Sequence, residues 1–324
     1  MQEPLGRPPL CHTASARASS RSREGVAPRV SIVVPTFDRA LQLGRCLDGI
    51  AALECPAIPF EVIVVDDGGP EPLDGLVAAY ADRLDVRLIR QGRGGPAAAR
   101  NAGAARARGA LLAFLDDDCT PEPGWLSAIV RELERDDRRL LGGRVENALG
   151  VNPYSVASDH ISQFVYDYNR TARAREPFFP TGNIALAADL FHAVGGFGTA
   201  IRSGTAEDKE FCDRWSAHGL ALTHAPAAVV HHAHDLTFAD FLRQHFGYGR
   251  GILAFRLIRR RIGAPLVPEP WKFYLDLVRS PLRGRSPAGR WRLVWLLVAA
   301  QLATVAGALR EAATWRRSSG EPDA

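Results

Sequence analysis

Ten residues, Ala113 to Glu122, hold the densest chemistry in the chain: Ala-Phe-Leu-Asp-Asp-Asp-Cys-Thr-Pro-Glu. The apolar run Ala110 to Leu115 has the pattern of a buried strand, and it ends in three consecutive carboxylates, Asp116, Asp117 and Asp118. Pro121, Pro123 and Gly124 then predict an end to regular structure before Trp125 opens a helix. A strand that hands clustered carboxylates to a loop is equipped for a hard cation. Mg²⁺ and Mn²⁺ take oxygen ligands, commonly one or two carboxylates together with substrate phosphates. Ligands of open α/β sheets sit at the carboxyl ends of strands, where this cluster would lie. On its own, though, a run of three aspartates makes a solvated acidic turn equally well.

Other clusters have comparable chemistry. The β-branched run Val30 to Val34, closed by Pro35, leads to Thr36-Phe37-Asp38, and Phe60 to Val65 leads to Asp66-Asp67-Gly68-Gly69-Pro70. Glu207-Asp208 opens a helical stretch running to His218, where carboxylates also suit the positive end of the helix dipole. His231-His232-Ala233-His234 follows the apolar run Ala227 to Val230. If that run is extended, His232 and His234 share a face and His231 points the other way.

The elements that must position these groups alternate. Helices are predicted over Arg39 to Ala52 and Leu73 to Tyr80, then a strand over Val86 to Ile89. The Gly-rich loop Gln91 to Pro96 leads into an Ala-rich helix, Ala97 to Arg108, with Gly109 as its C′ stop. Strands alternating with helices imply a parallel sheet of right-handed βαβ units. Its three polar loops then emerge on one edge of the sheet. The second half is less regular, with short strands expected at Leu140 to Val145 and Phe178 to Phe179 and a helix over Tyr154 to Tyr168. Thr181-Gly182-Asn183 reads as a polar loop before an Ala187 to Val194 helix, and Gly195 to Gly198 breaks the chain.

Beyond Thr237 the chain is basic and helical, with Phe238, Phe241, Leu242, His245 and Phe246 on one face. Between Arg243 and Arg292 twelve Lys or Arg stand against only Glu269 and Asp276, although the whole chain carries a formal charge of just +4. That excess points to an anionic surface, membrane headgroups or phosphate-bearing ligands. Leu293 to Leu309 is uncharged and flanked by Arg290, Arg292 and Arg310. It is short for a span, and Gln301, Thr304 and Gly307 weaken it further, which favours a buried or interfacial helix.

With 324 residues, 46% apolar and 23% charged, the chain can bury a full globular core. Its five cysteines, Cys11, Cys46, Cys55, Cys119 and Cys212, are odd in number and lack zinc spacing. They read as free thiols of a reducing, cytoplasmic setting, with no structural metal. The first 28 residues are rich in Arg, Ser and Pro without an apolar segment, as expected of a disordered tail.

Taken together, the motifs resemble glycosyltransferase family 2, inverting enzymes with a GT-A fold. The matching residues are Val30 to Phe37, Val62 to Gly68, Arg100-Asn101-Ala102-Gly103, Phe114 to Asp118, Gly182-Asn183 and Glu207-Asp208. Each is weak alone, but six in the family's order are specific. The resemblance implies a mostly parallel, Rossmann-like sheet flanked by helices over 29–235, with a nucleotide half at 29–124 and an acceptor half at 125–235. The basic helical extension would occupy 236–324.

By that resemblance Pro35 and Asp67 line the nucleotide base and ribose, with Thr36, Arg39 and Asp66 nearby. Arg100, beside Asn101, approaches the donor's base or phosphates; otherwise it is an ordinary surface Arg on an Ala-rich helix. Asp118 holds a divalent ion, Mn²⁺ or Mg²⁺, while Asp116 or Asp117 contacts ribose or ion-bound water. His232 resembles a further metal or phosphate ligand of some relatives. Gly182 and Asn183 line the donor sugar and the acceptor side. Glu207-Asp208 matches the pair in which one carboxylate, assigned here to Asp208, is the base. The partners implied are a nucleotide-sugar donor and a saccharide or lipid-linked acceptor, with work at the inner face of the cell membrane and no nucleic acid. Trp215, Phe178 and Phe179 could stack on sugar, although core packing is the commoner fate of such aromatics.

Two rival readings remain. Asp116 to Thr120 also fits DxDxT, the nucleophile motif of haloacid-dehalogenase-like phosphotransferases, with Asp116 phosphorylated. Such a site wants a Lys before a later acidic pair, and the only lysines are Lys209, just after Glu207-Asp208, and Lys272. The other is a non-catalytic sugar-nucleotide-binding scaffold, which predicts loss of a catalytic carboxylate.

Overall fold

The computed structural model describes residues 27–319 apart from 56, 172–177, 202–204, 262–268 and 284–288. All but the last two residues of the expected N-terminal tail lie outside the described residues. In chain order the first half comprises β1 (Val30–Thr36), α1 (Ala40–Ala51), β2 (Phe60–Asp66), α2 (Asp74–Ala78), β3 (Val86–Arg90), α3 (Pro96–Ala104), β4 (Leu111–Leu115), β5 (Cys119–Pro121) and α4 (Trp125–Arg135). The second half comprises β6 (Arg139–Asn147), α5 (Pro153–Thr171), β7 (Asn183–Ala187), α6 (Ala188–Val194), α7 (Glu207–Ala217), β8 (Ala221–His232), α8 (Phe238–Arg261), α9 (Trp271–Arg279) and α10 (Arg290–Ser319).

These strands form one eight-stranded sheet in the order β3-β2-β1-β4-β7-β6-β8-β5. The strands β1, β2, β3 and β4 are mutually parallel, as the alternation implied. Every residue of β1 and β4 is buried, which is why both read as unbroken apolar runs: helices cover both faces of a parallel sheet. Period two splits each strand between two cores. Ile32 and Val34 face Leu43, Leu47 and Ile50 of α1, while Val33 joins Phe114, Ile184, Phe191 and Phe211 on the other side.

Beyond β4 the sheet turns mixed. The strand β7 runs antiparallel to both β4 and β6, β6 is parallel to β8, and β5 closes the edge antiparallel to β8. Neither β5 nor β7 was expected. Pro121 signals a break, yet proline is tolerated on an edge strand, and β5 lies at the edge. The strand expected at Phe178 to Phe179 is instead irregular chain, with the Phe179 ring packed over Gly142 of β6. The predicted C′ role of Gly109 also fails, because α3 ends at Ala104. An added Cβ on Gly109 would stand 2.7 Å from the Ser31 nitrogen, so this glycine permits a close approach to β1.

The three C-terminal helices pack beside α5. Helices α8 and α10 meet backbone to backbone: a Cβ on Gly249 would fall 1.9 Å from the Thr304 carbonyl oxygen, and one on Gly307 would fall 2.0 Å from that of Phe246. Leu296, Leu297 and Ala300 of α10 are buried, whereas Trp291, Trp295, Val298, Leu302, Val305 and Leu309 are exposed along its other side. The helix is long and apolar enough over Arg290–Trp315 to cross a membrane. Gly249→Ala should force α10 away from α8 and cost about 1–3 kcal/mol, the range for overpacking a tight contact. Urea denaturation of the variant beside the wild type measures that loss, and an unchanged midpoint would contradict the contact.

Candidate active site

The loops after β1, β2 and β4 do emerge together. Thr36 Oγ1, at the end of β1, donates to Asp117 Oδ2 at 2.7 Å. The Asp67 amide donates to the Thr36 carbonyl at 2.9 Å, while its carboxylate accepts from the Gly94 and Gly95 amides, each at 2.8 Å, and from Gln91 Nε2 at 2.7 Å. Asp67 thus binds the Gly-rich loop to the strand ends. Asp66 caps its own turn, accepting from the Gly69 amide at 2.8 Å, and Pro35 is buried between these strands. Arg39, just ahead of α1, lies 3.3 Å from Asp117 Oδ1 and 3.1 Å from Asp118 Oδ2.

The second half of the chain reaches this edge through Arg100. The residue is 4% exposed, unlike an ordinary surface arginine. It donates to Asp116 Oδ1 at 2.6 Å and to Glu207 Oε1 at 3.2 Å. Burial opposes the guanidinium charge, but Asp116 and Glu207 outweigh it and hold the Arg100 pKa above its ordinary value. Glu207 is pushed upward by burial despite that partner. Asp208 is pushed up to about 7, first by burial and then by the Glu207 charge, while Lys209 pulls the other way. The turn that presents this pair is strained: Ala206 has φ +74°, and Asp38, between Thr36 and Arg39, has φ +56°. They are the non-glycine residues with positive φ among the described residues, and both border the site.

Asp118 and the histidines complete the other wall. His232 Nε2 lies 3.3 Å from Asp118 Oδ1, and the His232 and His234 rings are 5.2 Å apart. His231 faces away, with Nε2 3.2 Å from Glu122 Oε1, as strand alternation required. Burial opposes ionisation of Asp118, but its hydrogen bond to His232 and the charges of His232 and Arg39 hold its carboxyl well below the usual range. Asp117 behaves oppositely: burial lifts it to about 6 against the pull of Arg39. Cys119 lies near Asp118 and His232, but burial pushes its thiol well up, so it stays protonated and is a poor ligand. One carboxylate oxygen and one imidazole nitrogen at a strand end fit Mn²⁺ or Mg²⁺, with Asp116 and Asp117 beside them for bound water or substrate.

Gly182 belongs here for a steric reason, since a Cβ would stand 2.4 Å from Asp116 Oδ2. Asn183 and Asn101 are committed to the framework. Asn183 is buried, accepts from Trp125 Nε1 at 2.9 Å and donates to the Arg144 and Ala228 carbonyls at 3.0 Å. Asn101 donates to the Phe197 carbonyl and accepts from its amide, both at 2.8 Å. Trp215 is fully buried in the core, whereas Phe178 is half-buried under the Lys209 ammonium. Sequence reasoning missed Tyr166 of α5 and Tyr248 and His245 of α8, which line the same cavity as Asp208. The available signal was a histidine on an otherwise apolar helix face.

Residues 31–204, more than half of the chain, match the model of Glycosyl transferase family 2, and the chain belongs to that family. It is a glycosyltransferase. Glycosyltransferase AglE of Haloferax volcanii is 28% identical over 236 residues, covering 72% of this chain and 76% of that protein. The pre-mycofactocin glycosyltransferase of Mycobacterium tuberculosis is 30% identical over 244 residues, covering 74% of this chain but 50% of its own length. Among solved structures, mannosyltransferase PcManGT from Pyrobaculum calidifontis, in complex with GDP-Man and Mn²⁺, matches with a TM-score of 0.59 and 20% identity, covering 91% of this chain and 80% of that one. Residues 1–349 of S. aureus TarS, in complex with UDP-GlcNAc, match with a TM-score of 0.54 and 16% identity over 90% of this chain and 92% of that one. These likenesses establish the GT-A type of fold. Neither rival gains support: the nucleophile a phosphotransferase would need, Asp116, is held by Arg100, and Asp118 and Asp208, one of which a scaffold would lack, are both present.

Arg100→Met should leave Asp116 and Glu207 facing one another without a cation. Removing one partner of a buried pair costs roughly 3 kcal/mol or more. Urea denaturation reads the loss, and a variant as stable as the wild type would show that Arg100 does not join the two halves.

Proposed function

We propose that the chain transfers a sugar from a nucleoside-diphosphate donor to an acceptor hydroxyl by one inverting displacement, with Asp208 as base and a divalent ion at Asp118 and His232. The observation carrying this is that Asp208, its pKa raised towards neutrality, lines the same cavity as Asp116 and His232. A base works best when its pKa lies near the operating pH. Asp208 takes the proton of the acceptor hydroxyl as that oxygen attacks the anomeric carbon. The bond from that carbon to the diphosphate oxygen breaks as the new one forms, and its electron pair leaves with the nucleoside diphosphate.

Mn²⁺ or Mg²⁺ held by Asp118 and His232 would supply Lewis-acid neutralisation of the diphosphate. Arg39 and Arg100 add fixed positive charge beside it, and Arg100 also holds Glu207 so that Asp208 keeps its place. Thr36, Pro35, Asp66 and Asp67 shape the wall for base and ribose, the last two by holding loops instead of offering free carboxylates. Gly182 leaves room beside Asp116, while Asn101 and Asn183 brace that wall from behind. Donors of this class are consistent with the GDP-Man and UDP-GlcNAc bound to the similar folds.

The same reading takes 29–235 as the catalytic unit and 236–324 as an extension that rests on the cytoplasmic face of a membrane. The bare apolar side of α10 and the flanking Arg290, Arg292 and Arg310 support it.

Release of nucleoside diphosphate from UDP, GDP and dTDP sugars with Mn²⁺ tests the activity. Asp208→Asn should lower turnover by about 10²–10⁴-fold, the usual contribution of a general base, while retaining the donor-induced thermal shift. Asp118→Asn should abolish the Mn²⁺ dependence. Only the carboxylate form of Asp208 accepts a proton, so the wild-type rate should climb as pH rises through about 7. A rate that is flat or falling across that range would contradict Asp208 as base.

A further inference from the structure

Strand β8 carries its two adjacent histidines on opposite faces, and only His232 meets Asp118. His231 has ligand-type partners of its own. Strand β8 lies between β6 and β5 in the sheet, and Glu146 of β6 stands directly opposite His231 in the register. Glu122, just past β5, approaches from the other side. His231 Nε2 is 3.2 Å from Glu122 Oε1, and Nδ1 is 3.8 Å from Glu146 Oε2. One ring nitrogen and one oxygen of each carboxylate all fall within 4.8 Å of one another. The donors of a tetrahedral Zn²⁺ with bonds of ~2.1 Å stand about 3.4 Å apart, so a small closure would seat an ion. The three side chains are 40%, 43% and 39% exposed, which lets an ion enter from solvent without opening the fold.

The imidazole itself points to a cation. A neutral ring has one N–H and one lone pair. Here a carboxylate oxygen stands before each nitrogen, so either tautomer turns its lone pair towards negative charge. A divalent ion on that lone pair reverses the contact and draws both carboxylates inward. Arg144 neutralises one oxygen of Glu146, Oε1 at 2.9 Å, and leaves Oε2 to the ring. One imidazole with two carboxylates suits Zn²⁺ and its first-row neighbours, whereas Mg²⁺ takes oxygen donors. The outer set therefore selects for a different ion from the one that a diphosphate brings to Asp118.

The position gives such an ion a task. Strand β5 has three residues and sits at the sheet edge. It pairs Cys119 with His232 and Thr120 with His231, and the Ala233 amide donates to the Asp118 carbonyl at 2.8 Å. The short pairing that sets Asp118 beside His232 thus also brings Glu122 to His231. We propose that His231, Glu122 and Glu146 hold a second divalent ion, of the Zn²⁺ class, on the outer face of β8, and that this ion clamps β5, β8 and β6 together. Its ligands come from three strands, so no local spacing announces them. The inference goes beyond the transferase reading and does not depend on Asp208 as base.

The probes are Zn²⁺ and Co²⁺, each added alone to the chelator-treated full-length chain. Calorimetric titration with Zn²⁺ should find an outer site that persists in Asp118→Asn, which removes a ligand of the inner set. His231→Gln and Glu122→Gln should each weaken that site by about tenfold or more. Both positions are half-exposed, and Glu146→Gln supplies a third variant should either fail to fold. Co²⁺ should give visible absorption bands in Asp118→Asn that are lost when His231→Gln is added. Zn²⁺ should also raise the thermal midpoint of Asp118→Asn, and adding His231→Gln should remove that rise. Binding that vanishes with Asp118→Asn alone, or that is equal in folded outer variants, would overturn the site and leave His231 with an ion pair only. Binding without a thermal shift would overturn the clamp. No donor enters these measurements, so failure of sugar transfer would leave them standing.

Discussion

The arrangement depends on one buried cation. Arg100 projects from α3 and holds Asp116, just after β4, and Glu207, at the start of α7 in the second half of the chain. A guanidinium out of water is costly unless its charge is met, and two carboxylates meet it here. They in turn would repel one another without it. The pair fixes the distance between the loop proposed to hold the ion and the helix proposed to carry the base. Among the described residues no backbone pairing performs that task, because α7 is a helix and is not paired into the sheet.

Around this centre, similar carboxyl groups are driven to different states by their surroundings. Asp118 has His232 and Arg39 and stays ionised. Asp117, accepting from Thr36 and more poorly compensated, rises to about 6. Asp208, buried and beside the Glu207 charge, rises to about 7 against the pull of Lys209 and Arg100. Groups whose environments separate their pKa values can be given separate roles, ligand on one wall and proton acceptor on the other. The left-handed backbone at Asp38 and Ala206 places strain at the two turns that present Arg39 and the Glu207-Asp208 pair.

Much of the first half was legible because β1, β2 and β4 are buried on both faces and announce themselves as apolar runs ending in polar loops. Their parallel pairing then put Thr36, Asp66 and Asp116 to Asp118 on one edge without any further information. The alternation of His231 and His232 across β8 was legible for the same reason, a strict period of two. What escaped was non-local. The pairing of Arg100 with Glu207 spans 107 residues, and no local charge or apolar pattern sets Arg100 apart from Arg93, Arg106 and Arg108 on either side of α3. The strand β7 was hidden because Asn183 to Ala187 is short and adjoins a helix, and β5 because Pro121 is tolerated only by virtue of an edge position. Gly109 carried an honest helix-stop signal, but contact with β1 explains it better.

The C-terminal helices change the character of the site. Helices α8 and α10 wall the cavity that Asp208, the proposed base, lines, and they bring Leu253 and Val305 to it. Water exclusion of that kind favours transfer over hydrolysis and strengthens every charge interaction within. The central claim is that Asp208 acts as a base in a single displacement, with no carboxylate attacking the sugar. The most direct measurement is the anomeric configuration of sugar released from an α-linked nucleotide donor, with water as acceptor, read by proton NMR before mutarotation. The account predicts β-configured sugar as the first product; α-configured sugar would show a double displacement or another nucleophile and would contradict it.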